Sequence, residues 1–119
     1  MMSRLSVLVC SSLVTISALA ACEAVPPPTI QGMVEARWAG TGHEARAVRI
    51  ARCESGLNPR AKNPSPSSSA SGVFQIIRGT WRAHASPGMD VFNAQDNIEV
   101  AYRIWLRSGR SWRQWSCRG

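Results

Sequence analysis

The residue in this sequence best placed to do chemistry is a glutamate at the end of an apolar helical stripe. Downstream of His43, Ala47, Ile50, Ala51 and Glu54 recur at i, i+3, i+4 and i+7, so the carboxylate shares a face with apolar side chains. Glutamate is seldom buried without a partner. One explanation is an ion pair with a neighbouring arginine such as Arg52 or Arg49. The other is a general acid, because an apolar wall favours the protonated carboxyl, which can then protonate the oxygen of a breaking bond. Polar residues that follow would line a groove beside it: Asn58, Ser71 and Gln75 carry donors and acceptors, and Gly56 and Gly72 let backbone approach a ligand closely. His43 and His84 are far apart, and no cysteine or carboxylate completes a metal-ligand spacing around them. Neither a metal nor another cofactor is expected.

These groups need helices to hold them. Ile30 to Gly40 contains a helical fragment with Trp38 as its large apolar side chain, either a packing anchor or a sugar platform, and Gly40-Thr41-Gly42 breaks it. Thr41 is placed to cap the stronger helix that follows, with Glu44 three residues later completing a capping box. Gly56 and Pro59 close that helix. Residues 58–71 have no periodic apolar face and read as a loop. Gly72 to Ile77 reads either as a strand or as a tight turn feeding a helical turn at Gly79 to His84. Asp90 to Asp96 reads as irregular. The last helix is capped by Asp96 or Asn97 and carries Ile98, Ala101, Tyr102, Trp105 and Leu106 on one stripe; Gly109 ends it. Trp81 and Trp105 read as core. The tail from Ser111 needs a restraint, and Trp112 and Trp115 are spaced to supply one.

The 119-residue chain has room for one domain. Arg4 precedes an uncharged run from Leu5 to Ala21 that ends in small residues, the pattern of a secretory signal peptide, with a retained membrane anchor as the competing reading. Ala18-Leu19-Ala20 fits an ordinary cleavage site. Leu19-Ala20-Ala21-Cys22 resembles a bacterial lipobox, in which Cys22 is acylated and becomes the new N-terminus. The expected organisation is a signal peptide over 1–21, a lipid-anchored Pro-rich tether over 22–29 and a domain over 30–119. Cys10 leaves with the leader. If Cys22 carries lipid, Cys53 and Cys117 remain to pair in an oxidising exterior, closing a loop worth about 4 kcal/mol by chain entropy. The alternative is that Cys53 is a buried thiol. The formal charge of +7 suits long-range attraction to an anionic envelope. Its arginines are scattered without an aromatic-interleaved pattern, so nucleic acid is not an expected partner.

Cys53-Glu54-Ser55-Gly56-Leu57-Asn58-Pro59-Arg60-Ala61, then Ala70-Ser71-Gly72-Val73-Phe74-Gln75-Ile76, then Thr80-Trp81, and finally Asn97-Ile98 through Ala101-Tyr102 resemble, in that order, the motifs of the soluble lytic transglycosylase family in the lysozyme-like superfamily. The tail Trp112 to Cys117 and the Cys-Glu-Ser-Gly start are similar to small actinobacterial relatives and resuscitation-promoting factors. The resemblance implies a mainly α, compact lysozyme-like domain with a glycan-binding cleft and a short irregular or β-like segment. It further implies Glu54 as catalytic acid/base, Ser55 and Gly56 shaping the adjoining turn, and Ser55, Asn58, Ser71 and Gln75 contacting substrate. Phe74 would contribute to the cleft wall, and Tyr102 would reach the carboxyl region of Glu54 from the last helix. The implied reaction cleaves the N-acetylmuramic acid to N-acetylglucosamine bond of peptidoglycan and leaves 1,6-anhydromuramyl ends. Ser69, Arg78 and Ala101 depart from the family pattern, which puts the sugar subsites in question. A two-carboxylate hydrolase would need a second acid, for which Asp90, Asp96 and Glu99 are the remaining choices. Hydrolysis by the same Glu54, a non-catalytic wall-binding lipoprotein and a membrane-active basic protein are the rival readings. The expected partners are peptidoglycan strands and, through Cys22, the membrane; the expected state is an exported monomer.

Overall fold

Four helices carry residues 25–118, the part of the chain that the computed structural model describes. The expected leader, its cleavage site and Cys22 lie outside the described residues. None of the four helices is long and apolar enough to cross a membrane. α1 (Ile30–Arg37) starts where the Thr29 hydroxyl accepts the Gly32 amide at 3.0 Å. α2 (Glu44–Ser55) starts differently from the expected capping box. His43 is its N-cap and makes no side-chain capping bond. The Thr41 hydroxyl donates to the Trp38 carbonyl at 2.6 Å and accepts the His43 amide, while the Glu44 carboxylate reaches back to the Gly40 amide at 2.7 Å. Both side chains therefore tie the α1–α2 turn rather than the first turn of α2. Bonds from backbone amides, first its own and then those of Gly40 and Gly42, hold the Glu44 carboxyl below its ordinary value against a smaller opposing effect of burial.

α3 (Arg78–His84) and α4 (Ala94–Arg107) follow a turn rather than a strand. Ser71 pairs with Lys62 on one side and Ile76 on the other through isolated antiparallel bridges, and the chain folds tightly from Ser71 to Ile76. The cap of α4 is Asn93, whose side chain accepts the Asp96 amide at 3.0 Å, and not Asp96 or Asn97. Asn97 is instead fully buried. Its Oδ1 accepts the Phe74 amide at 2.8 Å, and its Nδ2 donates to the Ser71 and Val91 carbonyls at 3.2 and 2.9 Å. One side chain thus supplies the hydrogen bonds that the 71–76 turn cannot make as a ladder. Gly72 is what admits it. With φ of 81°, it has no Cβ to collide with the Asn97 amide and the Val91 carbonyl, so its freedom brings in this amide and not a ligand.

α1 packs against both α2 and α4, and α4 packs against α3. Trp38, at the C-terminal end of α1, is fully buried and is the hub of the core. Its ring lies 5.4 Å from Phe74, 5.2 Å from Tyr102, 6.1 Å from Trp105 and 5.5 Å from Trp112. Of the two roles open to it, it is a packing anchor. Trp105 is core as expected, whereas Trp81 is only partly buried. Burying one such ring removes about 150–250 Å² from water, worth roughly 4–6 kcal/mol before entropy is charged against it. In a domain of this size a few rings at that value dominate the core, and Trp112 and Trp115, at 4 % and 5 % exposure, belong to the tail. The tail is therefore part of the core. Leu106 lies at the edge of the α4 stripe at 46 % exposure, because the buried face runs through Asn97, Ile98, Ala101, Ile104 and Trp105.

Arg37 links α1 to α4 by pairing with Glu99 and lying 3.7 Å from the centre of the Tyr102 ring. Burial works to raise the Glu99 carboxyl, but hydrogen bonds and charge from Arg37 and Arg103 outweigh it and hold the group below its ordinary value.

Replacing Asn97 by Ala leaves the Phe74 amide and two carbonyls without their partner inside the core. A loss of about 2–4 kcal/mol is expected in urea unfolding, with Asn97→Asp also destabilising because a carboxylate cannot donate to both carbonyls. A variant as stable as the parent would show that the turn does not need this side chain.

Candidate active site

Gly56 ends α2 in the left-handed conformation, with its amide bonded to the Arg52 carbonyl at 2.8 Å, so Glu54 and Ser55 occupy the helix's last turn. Two fixings hold that turn. The Ser55 hydroxyl donates to the Val73 carbonyl at 2.7 Å, which fastens α2 to the 71–76 turn. Cys53 is bonded to Cys117, 64 residues away, which fastens it to the tail. Between these fixings Glu54 faces the tail. Its Oε1 accepts the Cys117 amide at 3.1 Å and the Ser116 hydroxyl at 3.3 Å. No described group donates to Oε2, and no arginine pairs with the carboxylate; Arg52 bonds Gln31 instead. The ion-pair explanation for an acid on this stripe therefore fails. An oxygen anchored by an amide beside an unengaged one is an arrangement that can lose or take up a proton without losing its position.

Glu54 opens on a pocket of about 270 Å³ lined also by Asn63, Ala70, Gln75, Ile77, Gln114, Trp115 and Ser116. Ile77, half exposed, supplies an apolar flank. Gln75, Ile77, Gln114 and Trp115 also line a smaller recess toward Thr80 and Ile104. On the other side Asn63 is shared with a groove of about 870 Å³ between the 62–71 loop and α3. That groove offers serine hydroxyls, the cations Lys62, Arg78 and Arg82, and the faces of Trp81 and Phe92. A carboxylate whose pocket adjoins, through Asn63, a groove of hydroxyls and aromatic faces suits a polyhydroxylated ligand that spans both.

The other residues expected at the site fall into three groups. Gln75 lines the pocket; its Nε2 donates to the Ala61 and Gly72 carbonyls, fixing the side chain where φ is 50°. Ser71 lines the long groove, although it is largely buried and its hydroxyl donates to the Ser69 carbonyl. Ser55 and Asn58 serve the turn: the Asn58 side chain accepts the Arg60 amide and lines none of these pockets. Phe74 and Tyr102 are not at the site. Phe74 is fully buried between Trp38 and Trp115, so it is core and not cleft wall. Tyr102 lies under Arg37 and beside Trp38. It is two residues from Ile104, which lines the recess next to Glu54, and two residues turn about 200° around a helix. Its ring consequently points to the α1 side and makes no hydrogen bond to Glu54.

Among the described acids none joins Glu54 in its pocket. Asp96 accepts the Asp90 amide, Asp90 accepts the Phe92 amide, and Glu99 is taken by Arg37 and Arg103. Three contributors are absent from the sequence reading: Asn63, Gln114 and the Ser116-Cys117 donor pair. Asn63 sits in a loop without periodicity, and a backbone amide leaves no mark in a sequence. Trp115 was legible only as an anchor; its indole N–H donates to the Phe74 carbonyl at 3.0 Å, which brings Gln114 to the pocket rim.

Residues 33–113 match the transglycosylase SLT domain, more than half of the 119-residue chain. The chain belongs to that family. No curated protein and no solved structure matches it. The SLT domain is one of peptidoglycan-acting, lytic transglycosylase-type proteins, and its matched span ends before Ser116 and Cys117. The two groups that hold the Glu54 carboxylate thus lie beyond the matched span.

Converting Cys53 and Cys117 to Ser removes a restraint on a 64-residue separation, for which chain entropy predicts about 4 kcal/mol. The double variant is expected to melt at a lower temperature and, at a temperature where it remains folded by circular dichroism, to exchange its residue-117 amide hydrogen faster than the parent. Unchanged protection of that amide in a folded, bridge-free sample would show that the bridge does not hold the tail to Glu54.

Proposed function

We propose that this SLT domain is a lytic transglycosylase that cleaves the β-1,4 bond from N-acetylmuramic acid to N-acetylglucosamine, with Glu54 as acid and base in turn. The observation that carries the reading is the Glu54 carboxyl, anchored through Oε1 and free at Oε2 in a pocket that adjoins, through Asn63, a larger groove of hydroxyls and aromatic faces. Protonated Oε2 gives its proton to the glycosidic oxygen as the bond to C1 breaks, and the released sugar leaves with a hydroxyl. The carboxylate then takes the proton of the muramyl 6-hydroxyl, whose oxygen attacks C1 and closes the 1,6-anhydro ring. Water is not consumed. One carboxyl performs both transfers, which accords with the binding of Asp90, Asp96 and Glu99 elsewhere. A serial acid and base also fits the geometry, because the Cys117 amide holds Oε1 in either protonation state.

Export with acylation at Cys22 belongs to the same proposal. A disulfide persists in oxidising compartments, and the Cys53–Cys117 bond supports that location.

The decisive experiment digests isolated peptidoglycan with wild type and Glu54→Gln and weighs the muropeptides. Wild type should release 1,6-anhydromuramyl products and Glu54→Gln should fall by about a thousandfold or more, the loss of a general acid/base contribution together with the anchored geometry. Reducing ends without anhydro products would replace transglycosylation by hydrolysis at the same residue, and equal activity in the variant would remove Glu54 from the chemistry. The intact mass of protein recovered from the envelope checks the anchor: it should equal that of an acylated chain beginning at Cys22.

A further inference from the structure

We infer that the surface where the start of α2 meets the tail holds a second site, for a phosphoryl oxyanion on a soluble polyanion. This site is independent of the reading of Glu54.

A pocket of about 340 Å³ forms where the start of α2 meets the tail, and Arg46, Arg110, Arg113 and Arg118 line it around His43 and Trp112. Gathering four guanidinium groups costs repulsion unless counter-charge is near. Among the described residues no acid lines the pocket, and the ion pairs of the domain go elsewhere, to Glu99 from Arg37 and Arg103. Glu44, the acid in the first turn of α2, is held at the Gly40 amide. The positive end of the α2 dipole, which has no side-chain cap at His43, adds to the same field.

Two of the arginines are positioned without an acidic partner among the described residues. Arg46 Nε donates to the Arg118 carbonyl at 3.3 Å. Arg110 Nη2 donates to the Thr41 carbonyl at 3.3 Å, and its guanidinium carbon stands 4.9 Å from the centre of the Trp105 ring. Each thereby keeps donors for a ligand. The floor is rigid, since the nearly buried Trp112 ring donates its indole N–H to His43 Nδ1 at 3.1 Å. Preorganised forks of this kind suit an oxyanion that accepts from several directions at once. The two oxygens of a carboxylate lie in one plane with its carbon and are filled by one fork. The non-bridging oxygens of a tetrahedral phosphoryl group project out of any one plane and accept from forks on more than one side.

The rim favours a soluble polymer over a lipid surface. Among the described residues the exposed large apolar side chains are Val25, Ile77, Phe92 and Leu106, and none lines this pocket. A membrane-docking face would carry apolar groups to insert beside its cations.

Linear inorganic polyphosphate is the probe. It is titrated into the disulfide-bonded protein at about 0.15 M salt, with the Trp112 indole N–H followed by NMR. Saturable binding is expected to move that resonance. Arg46→Gln/Arg113→Gln leaves the Arg110 contacts to Thr41 and Trp105 in place and should weaken binding by about tenfold or more. Lys62→Gln/Arg82→Gln, in the long groove, should leave affinity within about twofold. Equal losses in the two double variants would reduce the effect to net charge and overturn the site. Absence of saturable binding would also overturn it, as would capture by vesicles of anionic phospholipid with no binding of polyphosphate.

Discussion

The hydrogen bond from the Cys117 amide to Glu54 Oε1 joins residues 63 apart in sequence, and much of the molecule is arranged so that both ends arrive together. One end is set by the last turn of α2, which Gly56 terminates and Ser55 pins to the 71–76 turn. The other is the tail, which has no regular structure beyond tight turns and is brought in by two buried indoles and a disulfide. A carboxylate on a free helix end would sweep a wide volume. Here its rotamers are limited by a backbone donor, which cannot move without moving Trp115 and the bridge.

This economy follows from size. A domain so small cannot surround the Glu54 carboxylate with a second layer of helices, so the same residues serve packing and positioning. Trp115 fills the core against Phe74 and, through its N–H on the Phe74 carbonyl, sets the rim of the Glu54 pocket. Asn97 does the same on the other side of Phe74. It replaces a sheet ladder with three hydrogen bonds from one buried amide and so holds the turn that carries Gln75. Polar networks of this kind are costly when incomplete, which couples the shape of the groove to the stability of the core.

The helices were legible because their apolar residues recur at helical spacing, and Glu54 stood out as the anomaly on one stripe. What the pattern could not resolve was which of several near-equivalent polar residues would take each task. Thr41 and Glu44 have the spacing of a capping box but find closer partners in the α1–α2 turn. Asn93, Asp96 and Asn97 are all fit to cap α4; burial of Asn97 decides among them, and burial depends on the 71–76 turn packing from far away in sequence. Tyr102 is on the apolar stripe by count, yet the helix is rotated so that Ile104 faces the cleft side and Tyr102 faces Arg37. The tail was readable as restrained, through its tryptophans and cysteine. Its main service to Glu54 is a peptide N–H, and every residue but proline has one.

The bond from the Cys117 amide to Glu54 is local and directly observable. In a pH titration of the oxidised protein followed by amide NMR, the Cys117 resonance is predicted to track ionisation of the Glu54 carboxyl and to become insensitive to pH across that range in Glu54→Gln. A Cys117 amide that ignores the titration, or titrates identically in the variant, would contradict it.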